Sequence, residues 1–178
     1  LTNSLLAGLA APLKRRLGGI PVVASFQGED FFLQGLPAED RDRALDLIRN
    51  NGLPAGIGAH KLETVQACVA AGLDPDFWVK TLHHCDYWSA RKDVQNDNIW
   101  CVNPEETAAY MSALPQPWIA YKVLAAGAIH PKDGFSYAFR NGADFICVGM
   151  YDFQVVEDVN IAVAALGEAR QRPRRWLA

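Results

Sequence analysis

The sequence predicts a parallel α/β fold in which strands and helices alternate along the chain. Short apolar runs rich in β-branched residues, such as residues 20–26 and 145–150, alternate with amphipathic runs of helical spacing. Glycine-containing turns such as Asn51-Gly52 end the amphipathic runs, as is typical at the carboxyl ends of helices. Half of the residues are hydrophobic and 21% are charged, which is the composition of an ordinary globular protein.

The first 48 residues predict a helix, a strand, a loop and a second helix. The first helix covers Asn3–Leu17 and ends at Gly18-Gly19, and the buried strand covers Ile20–Phe26. The second helix, Ala38–Arg49, is amphipathic. Its spacing predicts that Ala44, Leu45, Leu47 and Ile48 face inward.

Residues 49–169 predict four further strand–helix pairs, followed by a frayed basic tail over residues 170–178. The loop His84–Asn98 is long, polar and aromatic, which favours a functional loop or a lid. The predicted strands are Ala55–His60, Asp76–His83, Trp118–Ala125 and Phe145–Met150, with a possible short strand at Ile99–Val102. The predicted helices are Leu62–Ala71, one that begins at Pro104 with Asn103 as N-cap, Pro131–Arg140, and Val155–Ala169.

Charge and cysteine usage exclude several classes of protein. The net charge of −3 provides no basic face for nucleic acid, and no apolar run approaches the ~20 residues of a membrane span. The apolar start lacks a basic region and a cleavage site, so no signal peptide is predicted, and the initial leucine fits a fragment or a processed form. The cysteines form no C-x-x-C pair, which argues against a zinc knot. Cys68 and Cys147 are predicted to be buried thiols, and a reducing, cytoplasmic setting is expected.

The segment 1–48 carries the runs NSLLAGLAAPLKRRLG, PVVASFQGEDFFLQGLP and RALDLI. It resembles the N-terminal domain of family-4-like glycosyltransferases of the GT-B fold. In those enzymes the nucleotide sugar is held mainly by a C-terminal domain, to which nothing in this sequence corresponds. The acidic pair Glu29-Asp30 could bind acceptor hydroxyls, or could be a solvated loop.

From about Ala44 onward the chain carries NGLPAGIGAHKLETVQACV, DFWVKTLHHCDYWSA and WIAYKVLAAGAIHPKDGFSYAFRNGADFICVGMYDFQVVEDVNIA. This part resembles a family of uncharacterised bacterial proteins with an aldolase-type TIM barrel. Because a complete barrel usually takes ~250 residues, the resemblance implies a partial (β/α)8 barrel equivalent to strands four to eight. The two resemblances meet within residues 44–49, which suggests a fusion or a chimera. A partial barrel has open sheet edges, so we expect self-association.

Two lysines lie in predicted strands, whose carboxyl ends carry the active site in barrels. Burial of an amine lowers its pKa, and the neutral amine can attack a carbonyl. The order DFWVKT, YKVLAAGAI and GADFICVG is similar to the last three strands of class I deoxyribose-phosphate-type aldolases, which implies that Lys80 forms a Schiff base and Lys122 tunes it. The residues His83-His84 and Ala126-Gly127 depart from that pattern and put phosphate binding in doubt. Alternatively, the lysines point toward the helix layer or pair with an acid.

Three histidines offer a second kind of site. His60, His83 and His84, with Asp152 or Asp86, could provide acid–base catalysis or bind a divalent metal. His60, His83 and Asp152 are the candidate metal ligands. Adjacent histidines on a strand point to opposite faces, so only one of His83 and His84 faces the barrel axis. The alternative is that these histidines cap loops. The Schiff-base interpretation requires no cofactor.

Several residues are candidates for substrate binding. Gly127 and Gly149 follow the last two strands, and His130 and Lys132 open a helix whose N-terminus can bind an anion such as phosphate. Glycines at strand ends also occur for packing alone. Aromatic side chains can stack on a sugar or pack in the core or a lid, and the candidates are Trp78, Tyr87, Trp88 and Trp100.

The sequence therefore predicts a fragment of an aldolase-type barrel enzyme with lyase or isomerase chemistry on a small hydroxy-carbonyl or sugar-like substrate. An inactive fragment or interaction remnant is the alternative, and a glycosyltransferase-related role is the third hypothesis.

Overall fold

The computed structural model describes residue 15 and residues 24–27, 38–90, 100–172 and 174–177. Apart from Arg15, the predicted helix Asn3–Leu17 lies outside the described residues, as do the Glu29-Asp30 pair, residues 91–98 of the predicted long loop, and Ile99 of the possible short strand. The chain divides into two compact units, residues 1–79 and residues 80–178.

Strands and helices alternate along the described residues, which confirms the predicted α/β class. The strands are β1 (Ala24–Gln27), β2 (Ala55–Ala59), β3 (Phe77–Thr81), β4 (Trp118–Tyr121) and β5 (Phe145–Cys147). The helices are α1 (Ala38–Arg49), α2 (Leu62–Ala70), α3 (Pro104–Ala113), α4 (Pro131–Arg140) and α5 (Val155–Glu168). Within each unit, strands that neighbour each other in the sheet also follow each other in the chain.

In the first unit, β1 and β2 pair in parallel, from Ala24 opposite Ala55 to Gln27 opposite Gly58. All five residues of β2 are buried, as expected for a strand covered on both faces. Leu45 and Ile48 of α1 are also buried, but Leu47 is 57% exposed, so the prediction that it faces inward was wrong. The buried face of α1 is therefore narrower than the positions of its apolar residues predict.

Gly56 in β2 is required by the close approach of Phe77. A Cβ atom at residue 56 would lie 2.3 Å from the Phe77 ring, which is well inside van der Waals contact. The absence of a side chain therefore lets an aromatic ring pack directly on the backbone of β2.

Asp76 links α1 to the beginning of β2. Its carboxylate accepts the backbone N–H of Ala55 at 2.7 Å and the Arg49 guanidinium at 3.0 Å. Burial raises the pKa of Asp76, but the hydrogen bonds from Arg49 and Ala55 outweigh this and hold the pKa below its ordinary value. The side chain remains the charged acceptor that both contacts require.

In the second unit, β4 and β5 pair in parallel, from Ile119 opposite Phe145 to Tyr121 opposite Cys147. The backbone N–H of Leu82, which follows β3, donates to the carbonyl of Tyr121 at 3.2 Å, so β3 ends beside β4. Parallel pairing with strand–helix alternation is compatible with part of a TIM barrel.

Several predicted boundaries differ from the observed ones. Strand β4 ends at Tyr121 rather than Ala125 because Lys122, Ala125 and Ala126 adopt positive φ angles, which an extended strand excludes. Strand β5 ends at Cys147 rather than Met150. Cys68 is buried as predicted, whereas Cys147 is exposed, so its assignment as a buried thiol was wrong. Residues 100–102 form no strand.

The basic tail is docked on the second unit, which corrects the prediction that it is frayed. The guanidinium groups of Arg172 and Arg174 each lie 2.7 Å from a different oxygen of the buried Asp144. The same carboxylate accepts the backbone N–H groups of Trp118 and Leu177. These ion pairs and hydrogen bonds to Asp144 fix the tail on the second unit, although the composition of the tail alone predicts a frayed segment.

None of the described helices is long and apolar enough to cross a membrane.

Candidate functional site

Lys80 is buried near the carboxyl end of β3. It is 1% exposed, and its Nζ donates to the carbonyl of Thr81 at 2.8 Å. The side chain is therefore shielded from solvent.

Lys122 follows β4 directly, and its backbone has a φ of 57°. The left-handed region is uncommon for a residue with a side chain, and Ala125 and Ala126 share it. Such clusters of backbone strain occur preferentially at functional sites. The half-buried side chain places its Nζ 3.5 Å from the centroid of the Trp100 ring. This cation–π contact favours the ammonium form of Lys122.

His83 is buried, and both of its ring nitrogens are occupied. Its Nε2 accepts the backbone N–H groups of Trp100 at 3.1 Å and Cys101 at 3.0 Å. An acceptor at Nε2 leaves the proton on Nδ1, which donates to the carbonyl of His84 at 2.9 Å. Burial lowers the pKa of His83, and the hydrogen bond to the carbonyl of His84 opposes this shift only in part. The imidazole is therefore a neutral anchor for the Trp100–Cys101 backbone.

The neighbouring His84 has a different environment. It is half-buried, its Nδ1 accepts the backbone N–H of Asp86 at 3.2 Å, and its ring meets that of Tyr137 edge-on at 5.3 Å. Burial raises the pKa of both Tyr87 and Tyr137 to about 12. These phenols are therefore protonated donors near neutral pH.

A cleft of about 930 Å³ lies beyond the carboxyl ends of β4 and β5. Lys122 and Trp100 line it, and its wall continues along the turn 126–131 to the N-terminus of α4. Of the predicted binding residues, Gly127, His130 and Gly149 line the cleft. Lys132 and Trp88 are not among the lining residues, and Trp88 is 88% exposed.

The remaining predicted residues lie elsewhere. His60 follows β2 in the first unit and is half-buried. Asp152 is exposed and accepts the backbone N–H of Phe153, outside the cleft lining. Among the residues that the structure describes, no group of three or more His, Cys, Asp or Glu side chains is placed to hold a metal ion. Since both nitrogens of His83 are engaged, its imidazole offers no lone pair to a metal in this arrangement.

Asp158, in the first turn of α5, is a cleft residue that the sequence analysis missed. The residue is among those that line the cleft, and it is only 4% exposed. Glu157 precedes it and is exposed. Local sequence does not distinguish these two acids, because which of them faces the cleft depends on how the helix packs.

Comparison with protein-family models, curated protein sequences and solved structures gave no match for this chain.

Proposed function

We propose that this chain carries out lysine-dependent chemistry on a small hydroxy-carbonyl compound, of the lyase or isomerase type. Lys80 is the Schiff-base nucleophile and Lys122 is the neighbouring cation. The main support is that these two lysines lie at the carboxyl ends of the adjacent strands β3 and β4, and that Lys80 is 1% exposed. The similarity of the lysine-bearing runs to those of class I aldolases is a further reason for these roles.

The chemistry requires an uncharged amine. Removal of an amine from water disfavours its ammonium form, and a neutral Nζ of Lys80 adds to the carbonyl carbon. The carbonyl oxygen leaves as water after protonation, and the iminium that forms accepts the electron pair of a neighbouring C–C or C–H bond. Lys122 remains an ammonium against Trp100 and attracts a negatively charged or polar substrate into the cleft. Because Lys80 is 1% exposed, the substrate must displace a neighbouring side chain to reach it.

Borohydride trapping tests this proposal. The protein is incubated with small aldehydes and ketones, reduced, and analysed by intact mass spectrometry. We expect one covalent adduct in the wild type and in Lys132→Ala, and loss of the adduct in Lys80→Ala. Absence of an adduct from folded wild-type protein would refute the proposal.

One observation favours the alternative of an inactive fragment that associates with other chains. Helix α5 exposes apolar side chains at helical spacing, namely Val156, Val159, Val163 and Leu166. Such patches commonly mark association surfaces. Sedimentation velocity at micromolar concentration measures the association state of the wild type and of Val159→Asp. A wild-type protein that sediments as a monomer, with the same sedimentation coefficient as Val159→Asp, would argue against this alternative.

A further inference from the structure

Helix α5 carries its apolar stripe on the outside of the second unit. The helix packs on α4, and it buries Asp158 and Ala165. All four of its valines are exposed, with Val156 at 75% and Val163 at 64%. An amphipathic helix turns its apolar stripe toward a core, so an exposed stripe indicates a surface that another element covers.

The apolar surface continues past both ends of α5. Of the fourteen large apolar residues that are exposed in the described part of the chain, nine lie between Phe145 and Leu166, so this surface is concentrated there. Before α5 begins, the rings of Tyr151 and Phe153 stack with their centroids 5.4 Å apart. Near its other end lies a groove of about 690 Å³, lined by residues that include Phe145, Leu166 and Gly167.

The exposed stripe is symmetric about the middle of the helix. Val156 and Leu166 lie at equal distances along the chain from Ile161, and so do the two inner valines, Val159 and Val163. In an antiparallel pair of helices related by a two-fold axis, residues equally far from the axis in opposite directions lie level with each other. A second copy packed in this way therefore sets Val156 against Leu166 of its partner, and the inner valines against each other.

The charges at the two ends of α5 follow the same symmetry. Short 3-10 turns extend the helix at both ends, and they carry the exposed residues Asp152 and Arg170. These residues are also equally far from Ile161, so the antiparallel arrangement brings Asp152 of one protomer level with Arg170 of its partner at each end. Helical spacing turns the exposed Glu157 away from the stripe, so this acid does not enter the contact.

The aromatic pair and the groove are complementary under the same operation. Phe153 is 78% exposed and lies as far from Ile161 as Ala169 does, so it comes level with the grooved end of the partner's helix. A protruding ring on one protomer thus meets an apolar groove on the other.

We infer that the exposed face of α5 binds a second copy of this chain, antiparallel and around a two-fold axis, with Asp152–Arg170 ion pairs at both ends. One symmetry operation makes the stripe, the charges and the groove complementary to themselves, which favours a second copy over an unrelated partner. The inference is independent of the chemistry proposed for Lys80, which borohydride trapping tests separately.

Sedimentation velocity tests the apolar contact. We expect the wild type to be a dimer at about 50 μM, and Val159→Asp to be a monomer because its charge would be buried at the centre of the contact. Leu47→Asp makes the same kind of change on an exposed position of α1 and is the matched control, which should remain a dimer. Circular dichroism checks that each variant is folded. A monomeric wild type, or a folded Val159→Asp that associates as the wild type does, would overturn the inference.

Charge reversal tests the antiparallel arrangement. Asp152→Arg and Arg170→Asp each create two like-charge pairs in the homodimer, so each should associate about tenfold more weakly at low salt. In an equimolar mixture of these two variants, the heterodimer again has opposite charges at both ends, and we expect near wild-type association. Glu157→Arg reverses an exposed charge outside the contact and should change nothing. Unaffected single variants, or weakened variants that do not recover in the mixture, would overturn the inference.

Discussion

The imidazole Nε2 of His83 accepts the backbone N–H of Trp100, and the indole ring of Trp100 covers the ammonium group of Lys122. A buried histidine thus fixes the segment that holds a cleft lysine. The sequence predicts a catalytic or metal-binding role for His83 because this residue ends a predicted strand. Its contacts support a positioning role, in which the neutral ring holds the backbone of the next segment.

Removal of the His83 ring should therefore destabilise the second unit. His83→Ala leaves the N–H groups of Trp100 and Cys101 without their acceptor, and we expect a loss of about 2–4 kcal/mol in the free energy of unfolding. Urea denaturation measures this loss. The matched control is His84→Ala, which removes one acceptor from a half-buried site and should cost about 1 kcal/mol or less. Equal losses in the two variants would contradict the anchoring role.

The same contacts predict a pH dependence. Because the folded protein holds the pKa of His83 below 6.5, the unfolded chain binds the proton more readily. The stabilisation by His83 is fully present above pH 6.5 and is lost as the pH falls through the lower, folded pKa. The free energy of unfolding between pH 7.5 and 5 should fall less in His83→Gln, whose side-chain oxygen accepts without titrating. Parallel pH curves for the two proteins would contradict this account.

The Asp144 cluster predicts that the basic tail is a structural element. Arg172→Ala removes a guanidinium that is 1% exposed and leaves the buried carboxylate of Asp144 with one of its two ion-pair partners. We therefore expect the free energy of unfolding to fall by about 3–5 kcal/mol. Arg140→Ala is the control, since the Arg140–Glu168 ion pair is exposed and contributes about 0–1 kcal/mol. Equal unfolding midpoints for the two variants would show that the tail is not docked in solution.

The contact between Gly56 and Phe77 predicts intolerance to a single methyl group. Gly56→Ala should lower the free energy of unfolding by about 1–3 kcal/mol because the added Cβ overlaps the Phe77 ring. The double variant Gly56→Ala/Phe77→Leu should recover part of this stability. Gly167→Ala adds the same methyl group in open space on α5, where alanine favours the helix, and should be neutral or stabilising. A destabilised Gly167→Ala with an unaffected Gly56→Ala would refute the packing described.

The sequence predicted those features that depend on neighbouring residues. Helix α4 begins at Pro131 and ends at Arg140 as predicted, because proline after His130 and glycine after Asn141 are local signals. The end of β4 was missed because the positive φ angles of Lys122 and Ala125 occur without a glycine. The docked tail was missed because Arg172 meets Asp144 from a distant position in the sequence, where no local pattern connects them.

In the candidate site, too, locally encoded features could be predicted and features that depend on tertiary packing could not. Lysines and glycines at strand ends could be predicted, since parallel strands bring their carboxyl ends to one edge. The acceptor role of His83 and the burial of Asp158 depend on tertiary packing that no periodicity encodes.

The most direct test of the central claim is the location of the reduced adduct. Wild-type protein trapped with borohydride and a small hydroxy-carbonyl compound is digested, and the modified peptide is sequenced by mass spectrometry. We predict a single adduct on Lys80, which forms more slowly in Lys122→Ala. An adduct on Lys122 or on surface lysines such as Lys61 and Lys132, with Lys80 unmodified in folded protein, would contradict the assignment of Lys80 as the nucleophile.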